Sequence, residues 1–259
     1  MPTTEPPASS KPLVYAVLGA AGSDRREIVA DLIAAGLEDA GQVAVLLSEN
    51  ETAAPADASL AGLSRVARWS WEPSAGRDRA VAAGKIRAAL PEGTAVAFLI
   101  TDGRANPVDQ IEALKPWLAE NGAELARVFC VVDCRLAEKH PPLLRWFDAC
   151  VHFSDMVFLC KRGGVPNKWI ADFIRRYQEQ RAPALFEQVK NNRVHNPALA
   201  LLPQARRISH YFDEDEWAGF EPDNDGDDDL RPETDPWLER ATETRRVRDL
   251  PDLAKVTGL

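Results

Sequence analysis

A continuous apolar run ending in glycine, Leu13–Gly19 (LVYAVLG), passes directly into a short glycine-containing loop and then a helix-period segment. No other feature constrains the fold as strongly. A run without polar alternation is a strand covered on both faces, the situation inside a parallel sheet. The next segment places Ile28, Val29, Leu32, Ile33 and Leu37 at helical spacing, with Asp24 as N-cap and Gly41 as the stop. Strand, glycine loop and helix open a βαβ unit.

The alternation continues along the chain. Residues 43–47 (VAVLL) read as a second buried strand and residues 65–71 (RVARWSW) as a shorter, alternating one nearer an edge, with a loop of Glu, Ala, Pro and Asp between them. A helix over 76–90 precedes a strand at 95–100, and a helix after Pro107 precedes a strand at 128–132. Met156–Cys160 then leads to a helix after Pro166. The expectation is a doubly wound, mostly parallel α/β sheet with helices on both faces and ligand-binding residues at the carboxyl ends of the strands. The chain divides into a flexible N-terminal tail (1–12), the α/β domain (13–205) and an acidic, mostly disordered tail (206–259). Within the tail, residues 237–248 read as a short amphipathic docking helix.

Composition removes several function classes. With 259 residues the chain is long enough for one well-buried domain, and its apolar runs fall far short of a bilayer span. The N-terminus has no basic and apolar signal pattern, so a cytoplasmic location is expected. The net charge of −9 comes from residues 213–229, which hold ten acidic residues and no basic one; elsewhere 31 basic residues face 30 acidic ones. No basic surface for nucleic acid follows, whereas the acidic tail suits a protein partner.

The side chains that commonly carry chemistry are scattered. Cys130, Cys134, Cys150 and Cys160 sit in or beside apolar stretches, as buried reduced thiols do. Cys130 and Cys134 can share a strand face, but two thiolates without neighbouring His or Cys do not make a zinc site, so no metal is expected. Residues 221–232 approach a calcium loop with Gly226 at its sixth position, but Pro232 stands where a bidentate glutamate is required. His140, His152, His195 and His210 lie in separate contexts, without a nucleophile elbow or an H-E-x-x-H helix, so hydrolase and zinc-protease readings drop out. Trp69 and Trp71 read as packing residues.

The loop after the first strand, Gly19-Ala20-Ala21-Gly22-Ser23-Asp24-Arg25-Arg26, lies where a phosphate loop G-x-x-x-x-G-K-[ST] would lie. In that register Gly19 is the first glycine, Asp24 replaces the second, Arg25 the lysine and Arg26 the hydroxyl residue that binds magnesium. Asp24 brings a carboxylate toward any bound phosphate, and Arg26 cannot coordinate the ion that stabilises charge during phosphoryl transfer.

Residues 13–180 as a whole resemble the CobW-type metal-chaperone GTPases. That family opens with GFLGAGKTT, of which Gly19 and Gly22 match; its V-N-E-F-G strand end retains Glu49; and its E-[ST]-[ST]-G-L-A-D-P segment retains Thr101, Gly103, Ala105 and Pro107 around Asp102. Val131-Val132-Asp133-Cys134 is similar to V-V-D-A, and Leu159-Cys160-Lys161-Arg162-Gly163 to L-N-K-T-D. The family's lysine and threonines, its guanine-reading aspartate (Gly163 here) and its C-x-C-C metal motif are absent, since no cysteine precedes Cys130.

The resemblance therefore implies a degenerate, non-hydrolysing member acting through weak binding of GTP or another nucleotide or anion, or through protein contacts. Its candidate binding residues are Gly19, Gly22, Arg25, Arg26, Glu49, Thr101, Asp102, Gly103 and Lys161. Two alternatives remain. In a dinucleotide-binding Rossmann enzyme Gly19 and Gly22 would begin the fingerprint and Glu49 would hold a ribose hydroxyl, although Arg25 replaces the third glycine. An active GTPase would need Arg25 in place of lysine, a poor geometric substitute.

Overall fold

The computed structural model describes residues 11–73, 84–213, 235–242 and 245–258. Its strands are β1 (Leu13–Gly19), β2 (Gln42–Ser48), β3 (Arg65–Pro73), β4 (Gly84–Arg87), β5 (Thr94–Ile100), β6 (Glu124–Asp133), β7 (Met156–Cys160) and β8 (Leu185–Gln188). The helices are α1 (Arg25–Gly36), α2 (Ala56–Leu63), α3 (Pro107–Glu120), α4 (Cys134–Lys139), α5 (Leu143–His152), α6 (Asn167–Glu179), α7 (Pro197–Leu201) and α8 (Leu253–Thr257). The strands form one sheet in the order β4-β3-β2-β5-β1-β6-β7-β8, parallel throughout except for the β3/β4 pair. This is the doubly wound, mostly parallel α/β architecture that the sequence leads one to expect.

The pleat divides the apolar runs between two cores. Val14, Ala16 and Leu18 of β1 join Val128, Cys130 and Val132 of β6 on one face, where α3, α5 and α6 pack through Ile111, Leu114, Trp146, Phe147, Ile170 and Phe173. Tyr15 and Val17 join Phe129, Val131 and Phe158 on the other, covered by Ile28, Val29, Leu32 and Ile33 of α1. Both faces of each central strand are buried, which is why these strands lack polar alternation.

The chain leaves β1 through α1 on one face and leaves the adjacent β5 through α3 on the other. Neighbouring strands whose connections depart to opposite faces open a crevice beyond their carboxyl ends. The glycine loop after β1 and the 101–106 loop after β5 meet in that crevice.

Several local expectations change. Residues 74–83, most of the expected 76–90 helix, lie outside the described residues, and Gly84–Arg87 is a strand antiparallel to β3, with Ile86 opposite Trp71. Gly84 lies so close to the Trp71 ring that an added Cβ would approach it to 2.3 Å, and this packing overrides the helical pattern. With β4 outside it, β3 is second from the edge. The stretch read as a loop between β2 and β3 contains the two-turn helix α2, held by burial of Ala56 and Leu60. Helix α1 ends at Gly36, before Gly41, and Asp24 occupies its N-cap position without a capping hydrogen bond.

The C-terminal region also differs. Residues 214–234, including most of the acidic run and the calcium-like segment, lie outside the described residues. Within 237–248 the described residues form a turn and a bridge between Arg240 and Arg246 instead of a helix, and α8 lies further on, capped by Asp252. The segment docks against the domain. Arg246 binds Asp109 (2.7 Å) and Glu112 (2.6 Å) of α3, and Trp237 and Leu253 are buried in the core. Asp235 Oδ2 is hydrogen-bonded to His152 Nε2 at 2.8 Å.

All four cysteines are free and buried, and Trp69 is buried with its Nε1 donating to the Ile100 carbonyl (3.0 Å). Among the described residues no group of three or more His, Cys, Asp or Glu side chains is arranged to hold a metal, and no helix is long and apolar enough to cross a membrane.

Candidate phosphate-loop site

Gly19 ends β1 at φ +150°, and a Cβ there would stand 2.7 Å from the Val131 carbonyl oxygen and 2.9 Å from Arg25 Cδ. Only glycine fits. Across the crevice Gly103 is as tightly constrained, since its Cβ would lie 2.3 Å from the Ala21 nitrogen and 2.5 Å from Arg25 Nη2. The close approach lets the Ala21 N–H donate to the Gly103 carbonyl (3.0 Å), while the Ser23 N–H donates to Ala20 (3.1 Å). A phosphate loop works by offering such N–H groups to an anion. Here two of them have partners within the protein.

Arg25, in the lysine position, folds inward. Its Nη1 donates to the Thr101 carbonyl (2.5 Å) and its Nη2 to Glu51 Oε1 (2.6 Å), leaving the residue 2% exposed. Arg26, also buried, donates from Nη2 to Glu51 Oε2 (2.7 Å) and from Nη1 to Asp57 Oδ1 (2.7 Å). Glu51 thus gives one oxygen to each guanidinium. Burial pushes the Glu51 carboxyl upward, but the charges and hydrogen bonds of Arg25 and Arg26 outweigh it and hold the group below its ordinary value. Burial lowers Arg25, Glu51 opposes that, and the guanidinium stays charged.

A second ionic cluster lies on the other side of the loop. Lys161, at the end of β7 with φ +49°, directs its Nζ to the Gly22 carbonyl, to Asp133 Oδ2 (3.3 Å) and to Asp24 Oδ1 (3.5 Å). Asp133 also caps α4 through the Leu136 N–H (3.0 Å). The Asp24 carboxyl is raised, chiefly by burial, with Lys161 pulling against that.

The other residues singled out in the sequence are placed less centrally. The Thr101 hydroxyl donates to the Val17 carbonyl (2.9 Å), so it serves the sheet. Asp102 accepts from Asn50 Nδ2 (2.7 Å) and from the Arg104 N–H (2.9 Å), tying the loop after β5 to the loop after β2. Glu49 is exposed, and its backbone N–H donates to Trp69 (2.8 Å). The carboxylate that turns toward the loop is Glu51, two residues further on. Glu51, Asp57, Asn50 and the ionic role of Asp133 escape sequence reasoning because they lie in loops, at a cap or in the first turn of the short α2, where no periodicity marks direction. The one available signal was charge balance, since two consecutive arginines entering a buried helix need acidic partners.

No protein-family model matches the chain, and no curated protein matches it. Among solved structures it has a distant, partial likeness to the zinc-bound YjiA GTPase from E. coli (16% identity, 74% of this chain and 61% of that chain, TM-score 0.42). A zinc-bound triple mutant of YjiA gives 15% identity, the same coverage and a TM-score of 0.41. The signal recognition particle receptor FtsY from Elizabethkingia anophelis, in complex with GDP, gives 17% identity, 61% of this chain, 53% of that chain and a TM-score of 0.38. The chain spans 61% of the YjiA length.

Proposed function

We propose that this chain is a non-hydrolysing phosphate-loop-type protein whose loop is closed by its own side chains, and that it acts by weak nucleotide or anion binding and by protein contacts. The observation that supports this reading is the Glu51 carboxylate bridging Arg25 and Arg26 at 2.6 and 2.7 Å. An internal anion there neutralises the two cations that an incoming phosphate would use, and the Lys161 ammonium similarly engages the Asp24 and Asp133 carboxylates. Breaking a buried ion pair costs about 3–5 kcal/mol, equivalent to a loss of roughly two to four orders of magnitude in phosphate affinity. The residues at the lysine and hydroxyl positions are both arginines in ion pairs, so those two positions offer no oxygen to hold magnesium in the phosphate-loop manner. The acidic residues 213–229 supply the charge for a basic protein partner.

Isothermal calorimetry with GTP, ATP and NADPH, each with and without magnesium, tests this reading. The expected result is silence or weak, base-indifferent binding without a magnesium requirement. Tight magnesium-dependent GTP binding would overturn it, and NADPH binding alone would favour the dinucleotide enzyme.

A further inference from the structure

Six buried side-chain nitrogen or oxygen atoms lack a hydrogen-bond partner among the described residues, and three of them belong to one cluster: Arg127 Nη2, Arg206 Nε and Arg207 Nε. The cluster surrounds Asp155, which immediately precedes β7 at the amino end of the sheet. Arg127 in β6 lies in register with Tyr15, four residues before Gly19, so the cluster is about 13 Å along the strand from the glycine loop.

The partners that do exist define its shape. Arg127 is fully buried, with Nε donating to the Gln204 carbonyl (3.1 Å) and Nη1 to those of Leu199 (3.0 Å) and Ala200 (3.3 Å). Asp155, also fully buried, accepts from the Val128 N–H (2.6 Å), from the Arg206 N–H (2.5 Å) and from Arg207 Nη1, which lies 3.3 Å from both of its oxygens. Arg207 Nη2 reaches Asp213 (3.3 Å), which is partly exposed and shared with His210, and Arg206 Nη2 reaches Gln204 Oε1 (3.2 Å) at the surface.

Charge does not balance inside. Three guanidinium groups surround a single buried carboxylate whose oxygens already make four contacts with three donor groups. Burial pushes Arg127 down in pKa, Asp155 opposes that and neighbouring Arg206 adds to it, as expected where positive charge is in excess. A buried water could satisfy the unpaired N–H groups, but it leaves the excess charge in place.

We propose that Arg127, Arg206 and Arg207 form a binding site for a small phosphate-class oxyanion, at the end of the sheet opposite the glycine loop. Three unpaired N–H donors from three side chains suit an ion with several acceptor oxygens, and guanidinium is the group best matched to it. Half-buried Arg206 provides the access from solvent. Asp155 positions Arg207 and ties the 199–207 segment to the sheet. The site accepts free phosphate or the phosphate end of a small phosphomonoester.

The test uses the full-length protein in phosphate-free buffer at constant ionic strength, titrated with inorganic phosphate and separately with glycerol 3-phosphate, followed by phosphorus NMR and by thermal unfolding. Saturable binding that raises Tm is expected for the free ion, and binding of the ester as well would identify a phosphorylated metabolite as the class of occupant. Arg206→Gln keeps the backbone bond to Asp155 and removes a donor, so affinity should fall about tenfold or more. Arg207→Lys keeps the charge but loses the Nε–H and should also weaken binding. Absence of saturable binding at millimolar phosphate, or equal affinity in both variants and the parent protein, would overturn the proposal.

Discussion

Arg25 Nη2 and Glu51 Oε1 lie 2.6 Å apart with side-chain exposures of 2% and 6%, at the start of the helix that follows the glycine loop. Because Glu51 also binds Arg26, its carboxylate is the shared partner of two buried cations. The charge balance of the loop depends on it.

Glu51→Gln preserves shape but leaves Arg25 and Arg26 with reduced compensation. Removing one partner of a buried pair costs about 3–5 kcal/mol, so the urea midpoint should fall markedly. Under the proposed function the same variant frees the two arginines for an external anion, and its affinity for tripolyphosphate, measured by calorimetry, should exceed that of the parent protein by roughly tenfold or more. Unchanged stability would show that the pair is dispensable.

Gly103→Ala pushes a methyl group into the Ala21 backbone and the Arg25 guanidinium, at 2.3 and 2.5 Å. One contact is backbone and cannot rotate away. Overpacking of this kind costs about 1–3 kcal/mol, readable as a lower midpoint in chemical denaturation. Gly122→Ala makes a useful contrast, because nothing lies within 4 Å of the added carbon there and only the cost of its φ of +58° remains.

The depressed carboxyls of Glu51 and Asp235 set an acid limb. Glu51 is first pushed up by burial and then held below its ordinary 4.5 by Arg25 and Arg26; Asp235 likewise is opposed by burial but held below 3.8, mainly by His152 and Ser209. A group with a lowered folded-state value contributes stability above its unfolded value and loses it as pH falls through the folded one. Unfolding free energy should therefore decline as pH falls below about 4.5, with a shallower decline in Glu51→Gln. Asp24, raised chiefly by burial, acts in the opposite sense, favouring the fold at low pH and losing that contribution as pH rises. A steeper acid limb in Asp24→Asn would support that assignment.

Arg246→Ala should release the docked C-terminal segment. Arg246 joins Asp109 and Glu112 of α3 to the carbonyls of Trp237 (3.4 Å) and Leu238 (3.2 Å). Its loss takes the guanidinium away from Asp109 and from two carbonyls, while Glu112 keeps Arg240, and limited proteolysis should cut residues 235–258 faster while the α/β domain persists. An unchanged cleavage pattern would mean that Trp237 and Leu253 suffice to hold the segment.

The apolar runs at Leu13–Gly19 and Met156–Cys160, and the helix-period pattern after Asp24, determined the parallel sheet with two covered faces, because burial on both sides leaves a local, one-dimensional signature. Gly19 and Gly103 marked the crevice for the same reason, each being a place where a backbone or a guanidinium leaves no room for a side chain. Sequence could not decide that Gly84–Arg87 is a strand, since its pattern is too short to outweigh packing against Trp71, nor that residues 237–248 form a docked turn and bridge. It could not choose Glu51 over Glu49. Ion pairs between residues 25 and 51, or between 155 and 207, depend on where loops from different strands meet, and only the tertiary structure fixes those directions.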